Sequence, residues 1–149
     1  MMTDNAQPVR LLMAEDDPED RMLVQKAFDL ARLANTLTVV SNGEELLAYL
    51  RREGPYRAAE RPDLLLLDLN MPRMDGREAL RVIKADPELR TIPVVVLTTS
   101  SADEDIVRSY DLGVNSYIEK PVTFDKLVEV VKALGRYWFE IVKLPPRGE

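Results

Sequence analysis

Glu15 and Asp16, Asp68, Thr98 and Lys120 are the residues through which this sequence could handle a phosphoryl group. Three carboxylates brought together repel one another unless a cation sits among them. Oxygen-only ligands favour a hard ion, and Mg²⁺ typically takes one or two carboxylates while keeping several waters. A phosphoryl oxygen can then complete the octahedron. In transfer that group carries charge on its equatorial oxygens, and catalysis consists mainly of positioning and neutralising the charge. The Thr98 hydroxyl, the Lys120 ammonium and the cation could each take one oxygen. Taken singly, each residue has a plainer reading: Asp68 as a helix cap or loop solvator, Thr98 as strand-end punctuation, Lys120 as a solvated loop lysine. It is the set that speaks for a site.

Each of these residues closes a short apolar run. Val9-Arg10-Leu11-Leu12-Met13-Ala14 leads into Glu15-Asp16-Asp17, and Leu64-Leu65-Leu66-Leu67 stops at Asp68. Val94-Val95-Val96-Leu97 stops at Thr98, and Tyr117-Ile118-Glu119 leads into Lys120-Pro121. Runs so short, β-branched or Leu-rich and with little alternation, read as strands buried on both faces of a parallel sheet. In such a sheet the ligand site lies beyond the carboxyl ends of the strands. The residues should therefore converge at one edge.

Helical patterns alternate with the strands. Pro18 suits the first position of a helix, with Asp17 as N-cap and Met22, Leu23, Lys26, Ala27, Leu30 and Ala31 following at helical spacing. Leu37-Thr38-Val39-Val40 is a second, shorter strand. Asn42-Gly43 opens a helix through Leu46, Leu47 and Leu50, broken by Gly54-Pro55, and residues 51–63 form a polar loop. A third helix runs from about Gly76 to Lys84 and stops at Asp86-Pro87. A fourth covers 103–112 and ends at Gly113, a left-handed C′ glycine. The fifth begins near Thr123 and carries Phe124, Leu127, Val128, Val131 and Leu134 on one face. The class is α/β, a (βα)₅ chain, and right-handed crossovers make a doubly wound sandwich the simplest arrangement. A parallel five-stranded sheet of order 2-1-3-4-5 is the common flavodoxin-like solution.

Composition narrows the chemistry. A chain of 149 residues, 46 % hydrophobic and 31 % charged, fits one domain with a full core. A net charge of −6 argues against general binding to nucleic acid, whose phosphates select basic faces. With no cysteine and no histidine, disulfides, thiolate metal sites, Ser-His-Asp chemistry and histidine bases are all excluded. Residues 1–8 are polar and expected to be disordered, with no apolar h-region, and no later run reaches membrane-spanning length. The expectation is a cytoplasmic protein with neither a membrane nor a nucleic-acid partner.

The motifs Ala14-Glu15-Asp16-Asp17, Leu67-Asp68-Leu69-Asn70-Met71-Pro72-Arg73-Met74-Asp75-Gly76, Leu97-Thr98-Thr99 and Lys120-Pro121 resemble the receiver domain of two-component response regulators. The resemblance covers about residues 9–134. It implies that Asp68 is the phosphoacceptor and that Glu15 and Asp16 are the acidic pair. Asp16 would bind the metal directly, Glu15 largely through water, and Asn70 would offer its backbone carbonyl to Mg²⁺. Thr98 would bond the phosphoryl oxygen, and Lys120 would pair with Asp68 and then with the phosphoryl group. Tyr117 matches the aromatic switch position, and Lys120-Pro121 matches a peptide that family members usually hold cis. Three consecutive acids stand where the family needs two. Glu15 and Asp16 align with the pair because Pro18 then opens the first helix at the expected offset.

Residues 135–149 extend past the domain with the sole tryptophan and a dense apolar set: Trp138, Phe139, Ile141, Val142 and Leu144. The stretch is too short for a DNA-binding output domain, and Pro145-Pro146 cannot continue a helix. These side chains either fold back on the domain or contact another subunit, since apolar clusters beyond a complete fold mark interfaces. The expectation is a dimerisation arm and a homodimer. This tail and the loop Gly54-Pro55-Tyr56-Arg57-Ala58-Ala59-Glu60-Arg61-Pro62 resemble the stand-alone regulators paired with phytochrome-type histidine kinases.

The function expected is that of a stand-alone receiver. It would accept a phosphoryl group from a sensor histidine kinase onto Asp68 and signal by conformational change, promoting its own phosphorylation and dephosphorylation without being a dedicated enzyme. A haloacid-dehalogenase-like phosphatase would also use an aspartyl-phosphate and Mg²⁺. It needs a second acid two residues after the nucleophile, where this chain has Asn70, and its nucleophile follows the first strand, not the third. A pseudo-receiver that only binds protein fits poorly with possession of Asp16, Asp68, Thr98 and Lys120 together.

Overall fold

Four consecutive leucines form the middle of the sheet. In the computed structural model, which describes residues 9–31, 35–98 and 116–119 and the positions 125, 128, 129 and 132, strand β3 (Leu64–Asp68) is buried along its whole length. It pairs in parallel with β1 (Val9–Ala14) on one side, Leu11 opposite Leu64. On the other it pairs with β4 (Val94–Thr98), Leu65 opposite Val94. Strand β2 (Asn35–Val40) lies outside β1, and β5 (Ser116–Glu119) outside β4. The parallel order is β2-β1-β3-β4-β5, the common flavodoxin-like order that the sequence led us to expect.

Helices α1 (Pro18–Ala31), α2 (Gly43–Leu50) and α3 (Gly76–Ala85) join the strands. The expected fourth and fifth helices lie largely outside the described residues, as do Lys120, Pro121 and the segments 1–8 and 135–149. Asp125, Val128, Glu129 and Lys132 are helical, with Val128 buried.

Alternate residues of each strand face opposite layers. Leu12, Ala14, Leu65, Leu67, Val94 and Val96 join one core with Leu46, Leu47 and Leu50 of α2 and Ala79, Leu80 and Ile83 of α3. Leu11, Met13, Leu64, Leu66, Val95 and Leu97 are buried on the other face, where α1 buries Val24, Ala27 and Phe28. The face of α1 corrects the sequence reading. Met22 and Leu30 are 56 % and 58 % exposed, and with Lys26 they form an outward row at intervals of four. The stripe that faces the sheet is the neighbouring one, through Phe28, whose large aromatic body gains most from burial.

The connections carry their own anchors. Asn42 caps α2, its side-chain oxygen accepting from the Glu45 N–H at 2.8 Å. The loop after α2, read from sequence as simply polar, contains a 3₁₀ turn at Gly54–Tyr56. Tyr56 packs its ring 5.3 Å from that of Tyr49. Before β3, the buried Asp63 carboxylate accepts from the Arg10 N–H at 2.9 Å, while its own N–H donates to the Arg10 carbonyl at 2.8 Å. That exchange sets the β1–β3 register.

Candidate functional site

Strand β1 releases the chain into Glu15 and Asp16 at the same edge where β3 ends at Asp68. One carboxylate oxygen from each of these three residues lies within 4.8 Å of the other two. Glu15 is fully buried, Asp68 is 2 % exposed, and Asp16 is open to solvent. Two desolvated carboxylates and one wet one, at this separation, concentrate acidic groups in a small pit at the sheet edge. An all-oxygen donor set of this kind fits a hard divalent cation with part of its shell left to water.

The loops fix these carboxylates through the main chain. Asp17 donates its N–H to Glu15 Oε2 at 3.3 Å, and its own side chain accepts from the Glu19 N–H at 2.8 Å, the N-cap bond of α1. Asn70 donates its N–H to Asp68 Oδ1 at 3.0 Å. Asn70 is exposed at the mouth of the pit, the place from which a backbone carbonyl could reach an ion.

The β3–α3 loop is built for close approach. A Cβ on Gly76 would sit 2.3 Å from the Asp68 carbonyl oxygen, so only glycine lets α3 start directly beneath the end of β3. A Cβ on Gly43 would sit 2.3 Å from the Met74 carbonyl, so α2 presses on the same loop from its other side. Between them, Arg73 holds φ at +68°, with the Met74 N–H bonded to the Pro72 carbonyl at 2.8 Å. This is a γ-turn of the strained, positive-φ kind. Asp75 caps α3 by accepting from the Arg77 N–H at 2.7 Å, and Arg77 Nη1 donates to the Leu69 carbonyl at 3.4 Å.

Thr98 ends β4 at the same edge, in register with Glu119, and Asp68 is in register with Leu97 just before it. Tyr117 is in register with Val96. Strand β5 delivers the chain to Lys120, which lies outside the described residues. The edge therefore gathers the acids, and the backbone brings the Thr98 position to them. Sequence reasoning did not single out Arg21, whose guanidinium bonds the Glu15 carbonyl at 2.7 Å, or Arg77. An arginine in a helix carries no pattern, and the carbonyls these two grip are invisible in sequence. The place of Gly76 in the motif was visible; its reason was not.

A parallel sheet of order 2-1-3-4-5 with an acidic triplet at its carboxyl edge defines the receiver class. The family model "Response regulator receiver domain" matches residues 11–132, and the chain belongs to that family. Receiver domains take their phosphoryl group from histidine kinases. The chain is 40 % identical to "Response regulator Rcp1" of Synechocystis sp., over 97 % of this chain and 99 % of that protein. Among solved structures, it is similar to the phosphorylated cyanobacterial phytochrome response regulator RcpA, with 45 % identity and a TM-score of 0.85 over 93 % of this chain and 99 % of the other. The Mn²⁺-bound form of Rcp1 gives 40 % identity and a TM-score of 0.84 over 93 % and 100 %.

Proposed function

We propose that this chain is a stand-alone response regulator that carries its phosphoryl group on Asp68. The observation that carries the reading is the near-complete burial of Asp68 with the Glu15 and Asp16 carboxylates within 4.8 Å, in a chain of the receiver family. A carboxylate oxygen of Asp68 attacks the phosphorus of a kinase phosphohistidine. The P–O bond forms as the P–N bond breaks, and the imidazole leaves. Asp16, Asp68 and the Asn70 carbonyl would hold Mg²⁺, with Glu15 acting through water. The ion, when bound, offsets the charge that would otherwise keep a phosphate away from three carboxylates.

Thr98 and Lys120 take the remaining phosphoryl oxygens, and the movement of Thr98 toward the phosphate lets Tyr117 follow. The differential contact at Thr98 supplies the energy such a shift requires. The protein promotes its own phosphorylation and dephosphorylation and acts on no other substrate. Its donor is a phytochrome-type sensor kinase, a reading supported by the similarity to RcpA and Rcp1 over nearly the full length of both. It works in the cytoplasm as a homodimer joined through the apolar tail around Trp138. Among the described residues, no helix is long and apolar enough to cross a membrane.

Incubation with a small phosphodonor and Mg²⁺ should add one phosphoryl group to the wild type and none to Asp68→Asn. Undiminished labelling of the Asn variant would move the acceptor elsewhere. Light scattering of the full chain should give a dimer, and a version ending at Leu134 should give a monomer. A dimer that survives truncation would clear the tail of that role.

A further inference from the structure

One side chain holds both the first acidic loop and the loop after β2. Arg21, half-buried in α1, donates from Nε to the Glu15 main-chain oxygen at 2.7 Å and from Nη2 to Ser41 Oγ at 2.5 Å. Glu15 is thereby tied along its length. Its N–H donates to the Val40 carbonyl at 3.0 Å, its carboxylate accepts from the Asp17 N–H at 3.3 Å, and its carbonyl accepts from Arg21. The carbonyl that Arg21 grips belongs to the peptide joining Glu15 to Asp16. The orientation of that peptide sets the direction in which the Asp16 side chain departs.

Asp16 needs such a restraint. It is exposed, yet its carboxylate lies within 4.8 Å of two buried ones that repel it. Repulsion favours rotamers that swing it into solvent. An ion arriving at a loose loop would have to order Asp16 as it bound, and that ordering is lost from the affinity.

We propose that Arg21 is the positioning residue of the metal site: through the Glu15–Asp16 peptide it aims Asp16 at Asp68 before the ion arrives. This rests on the reading of Glu15, Asp16 and Asp68 as the Mg²⁺ site. The guanidinium also carries a positive charge, which opposes a nearby cation. Position and charge therefore predict opposite signs for the same substitution.

The test is calorimetric titration of the full chain with Mg²⁺, beside the Mg²⁺ dependence of labelling by a small phosphodonor. Outer partners of metal ligands commonly change affinity by about 10–100-fold. Arg21→Ala should weaken Mg²⁺ by about tenfold and raise the half-saturating Mg²⁺ for labelling equally, with little change in the plateau rate. Arg21→Lys should recover part of the loss, because one ammonium can reach the Glu15 carbonyl but cannot fork to Ser41. Ser41→Ala, which frees only one arm, should weaken binding by a smaller factor, and it serves if Arg21→Ala does not fold. Lys84→Ala is the control. It removes a cation from the Arg90 and Ile92 carbonyls at the far edge of the sheet and should lower Tm while leaving Mg²⁺ affinity unchanged.

Unchanged or tighter Mg²⁺ binding by Arg21→Ala would overturn the proposal, as would an equal loss in Lys84→Ala. If the wild type bound no Mg²⁺, or Asp16→Asn bound it as well as the wild type, the metal-site reading itself would fall, and this inference with it.

Discussion

The two edges of the sheet use charge in opposite ways. At the amino edge, Arg10 pairs with Glu60 at 2.5 Å, Asp63 takes the Arg10 N–H, and Arg61 donates to the Glu88 carbonyl at 2.6 Å and to Thr91 Oγ1 at 2.9 Å. Each charge there ties a loop to β1 or to another loop. At the carboxyl edge, three carboxylates are drawn together, and the arginine beside them bonds the main-chain oxygen of Glu15. Gripping the backbone fixes an acid without occupying its carboxylate. The difference separates charges that tie segments together from acids gathered at one place.

Cavity shape points the other way and is the poorer guide. A cleft of about 520 Å³ opens at the amino edge, lined by Tyr49, Arg51, Arg61, Asp86 and Glu88 among others. Its charges are mixed and partly committed to neighbouring loops. A receiver does not need an enclosed pocket, because its donor arrives on another protein and only the phosphoryl group must enter. The acidic pit meets that need with one exposed carboxylate and two buried ones.

The largest effect that would break the contrast lies within the acids themselves. On the proposed assignment, in which the exposed Asp16 would bind the ion directly and Glu15 through water, Asp16→Asn should weaken Mg²⁺ by about 10–100-fold, more than Glu15→Gln does. Ligand linkage supplies a second readout. Saturating Mg²⁺ at about a hundredfold over Kd should stabilise the wild type by roughly 2.7 kcal/mol and Asp16→Asn by much less. Equal losses in the two variants would mean that both acids, or neither, are direct ligands.

How much of this was legible in sequence follows from the same physics. Leu64 to Leu67 read as a buried strand, which puts the residue at its end at the carboxyl edge, so the strand and the position of Asp68 on it were legible together. The start of α2 at Asn42-Gly43 was equally plain. The face of α1 was not, because Met22 and Leu30 fit helical spacing as well as Val24 and Phe28 do. Only packing against the sheet decides between adjacent stripes. The γ-turn at Arg73 and the grip of Arg21 on a carbonyl were hidden for another reason: both are backbone geometry, and neither residue type announces it.

The smallest effect tests the amino edge. Lys84 lies half-buried at the end of α3, with Nζ donating to the Arg90 carbonyl at 3.1 Å and the Ile92 carbonyl at 3.4 Å. Burial lowers its pKa below the usual 10.5. Between that lowered value and 10.5 the unfolded chain binds more protons than the folded one, so this group makes stability rise with pH there. Tyr56 works in the opposite sense. Burial, reinforced by Glu45, raises its pKa above 10.0, and the stability it contributes below 10.0 is lost as pH rises through the folded value. Lys84→Met keeps the apolar stem and removes the amine, and at neutral pH should cost about 1 kcal/mol for the lost bonds. Urea unfolding at pH 8 and pH 10.5 should show the wild type gaining on Lys84→Met and losing ground to Tyr56→Phe. A gap between wild type and Lys84→Met that does not move with pH would mean the ammonium is as well solvated in the fold as in the open chain. Lys84 would then be a surface charge and not a buried tie between loops.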